Sequence, residues 1–270
     1  MTRAEAQDWT RRERDLILLL FKNNIIIADG GMQFVRNVEV CDWSIVSGRK
    51  NIKLKTCLRQ KKNLISFINH FSKEYGNVNA ISGSEKFPGG KVIIVGEDQY
   101  FKILKRELKS LKDAGNIPYD MLYFVPYSLV ETVDGGHRFA NIKQYEKNDI
   151  LIWDGTNETN RRNFSVLGNE ARLLQYESSR GLEAWTVCCV HFDVFIENKM
   201  SSFEPESQAS VLLLESREEQ FSKYILNWIL MPLTRGIDTI IISLKDIDSE
   251  VGKILKTMSE EYADYVQWEV

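Results

Sequence analysis

The sequence predicts an α/β fold, a mainly parallel sheet with helices on both faces. Short runs that are almost wholly apolar recur along the chain, among them "KVIIVGE", "MLYFVPY", "TVCCVHF" and "IDTIIISL". Strands buried on both faces have this composition. Between several of them lie amphipathic stretches of helical length, of which "YFKILKRELKSLKDAG" is the clearest. Such alternation is the mark of strands joined by helical crossovers. With 43% hydrophobic and 27% charged residues over 270 positions, the chain has the apolar material for a core. Its length corresponds to one large or two small domains.

The elements follow in order. Thr10-Arg11-Arg12-Glu13 has the capping-box pattern just before "LILLLF". It predicts a helix over about residues 11–22, apolar nearly all round and therefore buried. "NIIIADGG" predicts a short strand over Ile25–Ile27, ended by Asp29 and two glycines, and "NIKLKTC" a second one over residues 51–57. In "NLISFINHFSKEYG", Leu64, Phe67, Ile68, Phe71 and Tyr75 share one helical face, and Gly76 stops the helix. A strand, an amphipathic helix ending at Gly115 and the strand "MLYFVPY" come next. "TVDGGHRF" carries an Asp-Gly-Gly turn, either a hairpin or a loop. "DILIWDG", "EARLLQY" and "TVCCVHF" read as strands. Residues 211–230 read as a helix with Phe221, Tyr224, Ile225 and Trp228 on one stripe. "IDTIIISL", "IDSEVGKILKTM" and "YVQWEV" then read as strand, helix and strand, with no repeat and no low-complexity linker in the chain.

A formal net charge of −3 gives no global basic field, so any nucleic-acid contact must be a local patch. Cys41, Cys57, Cys188 and Cys189 are not at metal-ligand spacing, and His70, His137 and His191 are far apart, so no metal site is expected. The cysteines read as reduced thiols in a cytoplasmic setting, with Cys188 and Cys189 pointing to opposite faces of a strand as inert core residues. The run from Leu16 is too short for a membrane span or a signal peptide, and no membrane partner is expected.

"QYESSRGLEAW" sets a compact charged turn between two apolar runs. Ligands of parallel sheets sit beyond the carboxyl ends of the strands, and Gly181 is expected at that edge. The basic run Lys102, Lys105, Arg106, Lys109 and Lys112 reads as a solvated helix face, and Trp153 as core packing. No stretch matches G-x-x-x-x-G-K-[ST], and no Asp-Glu pair follows an apolar strand. By that route the chain cannot hold and cleave a triphosphate alone. No Ser-His-Asp, Cys-His or paired-carboxylate constellation stands out either.

Four segments nevertheless occur in a telling order: "ADGGMQFVR", "LKTCLRQKKNLISFINHF", "YESSRGLEAW" and "MPLTRGIDTIIIS". Together they resemble motifs III, IV, V and VI of superfamily 1 helicases of the UvrD/Rep group, across about residues 25–244. The most specific matches are S-x-R-G-L-E at Ser178–Glu183 and L-T-R-G at Leu233–Gly236, each leading into an apolar strand. The resemblance implies a RecA-like fold of the P-loop NTPase type, with residues 1–55 the tail of the first lobe and 56–270 the second lobe. The implied function is the C-terminal half of an ATP-dependent DNA helicase, inactive as an ATPase without the missing N-terminal lobe. That lobe would come from the same or a separate chain and share ATP with Mg2+. Arg235 looks like the arginine finger and Arg59 like a second phosphate-facing arginine, the two catalytic positions. Gln33 looks like the γ-phosphate sensor, and Gly181 and Glu183 like nucleotide contacts, Glu183 facing the ribose. Ser178 and Ser179 lie where the family touches the backbone of single-stranded DNA. Departures from the family pattern are Ala28 for glycine, Gln33 one position further from Asp29, and Leu58 where an aromatic ring usually stacks on the base. Glu177 stands for histidine and Arg180 for lysine, while Pro232 and Gly236 flank the Thr-Arg pair. The alternative is a degenerate helicase-like module that binds without catalysis.

Overall fold

A computed structural model describes residues 2–5, 11–21, 25–28, 56–77, 80–133, 136–164, 166–204 and 216–270. The chain forms two compact units, Met1–Leu54 and Lys55–Val270. In the first, β1 (Thr2–Glu5), α1 (Arg11–Phe21) and β2 (Ile25–Ala28) follow one another, and the two strands pair in parallel. α1 has the predicted extent, but the expectation that it is buried fails. Leu16, Leu19 and Leu20 are 55%, 72% and 63% exposed. An apolar pattern reports what a helix could bury, and only packing decides what does cover it.

The second unit begins with β3 (Thr56–Cys57), α2 (Lys62–Lys73), β4 (Ser82–Gly83), β5 (Lys91–Val95), α3 (Tyr100–Asp113) and β6 (Met121–Val125). There follow β7 (Val130–Val133), β8 (Gly136–Phe139), α4 (Ile142–Lys147), β9 (Ile152–Asp154), α5 (Glu158–Asn163) and β10 (Ala171–Gln175). It closes with β11 (Ala184–Cys189), α6 (Phe192–Ser201), α7 (Arg217–Leu233), β12 (Gly236–Ser243), α8 (Glu250–Glu261) and β13 (Val266–Glu269). Seven strands form one parallel sheet in the order β13-β5-β12-β11-β6-β10-β9. The α/β class with a parallel sheet is therefore as the sequence predicts.

Alternate residues of each strand feed two cores. Ile93, Val95, Tyr123, Cys188 and Ile241 form one with Ile103, Leu104 and Leu111 of α3 and Tyr145 of α4. The other face meets α2 and α7, with α6 and α8 packed alongside them. There the ring of Tyr176 stacks on Phe195 at 3.9 Å and tilts against Phe124 at 6.0 Å. Cys188 lies 3.6 Å from the Tyr100 hydroxyl, while Cys189 interacts with Tyr176 across the sheet. The adjacent cysteines do point to opposite faces, as strand alternation requires.

"TVDGGHRF" is a hairpin, with Val130 opposite Phe139 in the antiparallel β7–β8 pair. β11 is shorter than expected because His191, at φ 47°, turns the chain out of the sheet and into α6. α4 and α5 are too short for a periodic pattern to reveal them. Of the strand expected over 51–57, only β3 falls within the described residues, and α7 starts at a Ser216/Glu219 capping box.

One correction moves the site. β10 ends with Gln175 level with Val125, at the carboxyl ends of the strands, whereas Thr186 of β11 is level with Met121 at the amino end of β6. Residues 176–183 thus carry the chain back across one face of β6. Gly181 lies at the amino edge of the sheet and not at the carboxyl edge expected for it. A parallel strand has to restart where its neighbour started, so a short connection spends its last residues at that edge.

Candidate functional site

Two loops meet at the amino edge, because β11 and β12 are neighbours that begin there. The last rung before the ladder is the Ala184 amide donating to the Arg235 carbonyl at 3.1 Å. Arg235 follows the C-terminal end of α7, and its side chain is buried, 4% exposed. Nε donates to the Met231 carbonyl at 2.8 Å, whereas Nη2 is buried with no hydrogen-bond partner. Loss of water, then the charges of Arg59 and Arg180, push the Arg235 pKa down to about 10, against an opposing pull from Glu183.

Arg59 reaches the same place from the segment before α2. It donates to the Thr234 carbonyl, and Nη1 lies 3.7 Å from the Glu183 carboxylate. The Glu183 carboxylate is 59% exposed, while its backbone carbonyl accepts from Arg172 Nη2 at 2.8 Å. Arg172 is itself held by the Tyr119 carbonyl and lies over the Tyr119 ring at 4.2 Å, with burial lowering its pKa. Gly181 is left-handed at φ +74°, with nothing within 4 Å of the place a Cβ would occupy. The backbone there is open to an approaching ligand.

The structure therefore brings Arg59, Glu183 and Arg235 together, with Gly181 in the same turn. Ser179, in contrast, is fully buried with an unpartnered hydroxyl, out of reach of a nucleic acid on this surface. Ser178 is half-buried. Glu177 binds Lys199 at 2.7 Å. Gln33 and its neighbours Asp29 and Arg36 lie outside the described residues. Leu58, at the position of the family's stacking ring, is 66% exposed. The basic run on α3 is a solvated face with local partners, such as Arg106 to Glu269 at 2.7 Å and Lys105 to Asp149 at 3.9 Å. Trp153 is core, packed on Phe164 at 5.6 Å.

Sequence reasoning missed Gln60 and Lys61. Gln60 is only 1% exposed, and Lys61 pairs with Asp238 and lies 5.1 Å from the Trp185 ring centre. Both stand at a helix start, where polar residues usually face water, so nothing local signals their partners.

At the opposite, carboxyl edge a cavity of about 400 Å³ is lined by Glu97, Asp98, Tyr100, His191 and Ser243, among others, and by no lysine or arginine. Its charge is wrong for a phosphate, so the cation cluster at the amino edge is the better anion site. Among the described residues no group of three His, Cys, Asp or Glu side chains is placed to hold a metal, and no helix is long and apolar enough to cross a membrane.

No family model and no curated protein matches this chain. Among solved structures, the C-terminal domain of a possible DNA helicase from Lactobacillus plantarum WCFS1 is similar, with 9% identity and a TM-score of 0.42. The match covers 79% of this chain and 100% of that one, a likeness too distant to assign a role to any residue here.

Proposed function

We propose that this chain is the arginine-bearing lobe of a composite ATP site, working as the second RecA-like lobe of a DNA helicase. The observation that carries the reading is Arg235. Its charge is buried near two other guanidinium groups, with one donor nitrogen left unpaired. Like charges held together in a dry site cost stability unless an anion joins them. A terminal phosphate, with several oxygens and growing charge in the transition state, suits planar guanidinium donors. In this reading Arg235 meets the departing γ-phosphoryl group and Arg59 a neighbouring phosphate oxygen. Glu183 keeps Arg59 aimed and offers its exposed carboxylate to a ribose hydroxyl. Gly181 lets the nucleotide approach the backbone, and Ser178 is the serine left to touch single-stranded DNA. The phosphate loop and the magnesium carboxylates belong to a first lobe.

The test joins this chain, by fusion or co-expression, to a polypeptide bearing a G-x-x-x-x-G-K-[ST] loop and the magnesium carboxylates. The pair is expected to hydrolyse ATP when single-stranded DNA is added. Arg235→Ala should lower kcat on the order of 10³-fold. Hydrolysis that survives Arg235→Ala, or a folded pair that hydrolyses nothing, sinks the reading and leaves a non-catalytic binding module.

A further inference from the structure

The carbonyls around Arg235 are all taken, and mostly by one short segment. Gln60 Nε2 donates to the Leu233 carbonyl at 3.1 Å and to the Gly236 carbonyl at 2.8 Å, one on each side of the Thr234–Arg235 pair. Arg59 occupies the Thr234 carbonyl between them. The Lys61 amide donates to the Ile237 carbonyl at 2.9 Å, and the Arg235 carbonyl accepts from Ala184. The last carbonyls of a helix have no partner of their own, and Leu233 is the final residue of α7. A buried glutamine with both amide hydrogens used therefore closes the end of α7 onto the start of β12.

That closure acts against a force. Arg59 and Arg180 both repel Arg235, whose guanidinium would relax outward toward water if the turn carrying it could open. We propose that Gln60 is a positioning residue, its amide clamping the two carbonyls that flank the Thr234–Arg235 turn so that Arg235 stays aimed at an incoming polyphosphate. The proposal rests on the reading of this edge as a phosphate site. A glutamate at this position would offer two acceptors to two acceptors, and an asparagine is one methylene too short to reach both carbonyls.

The experiment uses the chain as it is, with inorganic tripolyphosphate as the probe. Binding is measured by calorimetry, folding by urea unfolding, and the Arg235 Nε–H signal by nitrogen-detected NMR. Gln60→Met is expected to weaken tripolyphosphate binding by about tenfold or more in a chain that stays folded. The Nε–H of Arg235, hydrogen-bonded to Met231 in the parent, should exchange with water faster, a readout that a purely structural role elsewhere would not move. Should Gln60→Met not fold, Gln60→His keeps one ring N–H for one carbonyl and is expected to bind severalfold more weakly. Parent-like affinity in a folded variant, with Arg235→Ala still losing binding, overturns the role of Gln60 and leaves the site reading standing. A parent chain that binds no tripolyphosphate overturns both.

Discussion

Arg235 is held at a cost, and that cost can be measured. Its folded pKa, about 10, lies below the ordinary guanidinium value of 12.5, so the folded state holds the proton less tightly than the unfolded chain does. The penalty is fully present below the folded value and is relieved as pH rises from about 10 toward the unfolded value. At ~1.4 kcal/mol per pKa unit the penalty is about 3 kcal/mol at neutral pH, offset by ~1 kcal/mol from the Nε bond to Met231. Arg235→Met is therefore expected to raise stability at pH 7 by about 1–2 kcal/mol, read from the urea midpoint. A fall of that size would instead mark the arginine as a structural strut. A buried cation held at such a cost supports the proposal that this edge takes an anion.

At the scale of the element, the turn before β11 is set by its backbone. Gly181 has φ +74° and open space where a side chain would begin, so Gly181→Ala meets strain without a clash. It should lower the urea midpoint by the equivalent of ~1–2 kcal/mol and no more. A larger loss would mean that the turn couples to the arginine cluster through Arg180. α7 shows how an element can carry information at both ends. Its start is written in the Ser216/Glu219 capping box, while its end carries Thr234 and Arg235 into a turn whose partners come from the segment before α2. The helix expected over residues 211–230 passes over this cap, although a cap is a pattern over neighbouring residues and was there to be read. Nothing local marks the partners at the other end.

At the largest scale, the second unit is built on a sheet covered by helices on both faces, and the adjacent cysteines of its central strand report on each. Burial pushes the Cys188 thiol up to about 12 and raises that of Cys189 as well. At pH 8, iodoacetamide is expected to label the partly exposed Cys57 and to spare both, as peptide mass spectrometry would show. When labelling of the pair does appear under mild denaturant, both should react together, because opening β11 exposes both faces at once. Separate rates for Cys188 and Cys189 would show that one helical layer leaves before the other.

What the sequence determined by itself is local. The order and rough extents of most strands and helices and the opposed cysteines follow from side-chain period, turn residues and spacing. Those signals leave the β7–β8 stretch open as a hairpin or a loop, and the arginines worth watching come from a family resemblance alone. Tertiary structure alone decided the strand order, the amino-edge position of the site, the burial of Ser179 and the exposure of α1 leucines that their pattern would bury. It alone made Gln60 a clamp, through bonds spanning 173 and 176 positions of the chain. A side chain's period is set by its neighbours, but its hydrogen-bond partner is set by which strands lie side by side, and no short stretch of sequence encodes that.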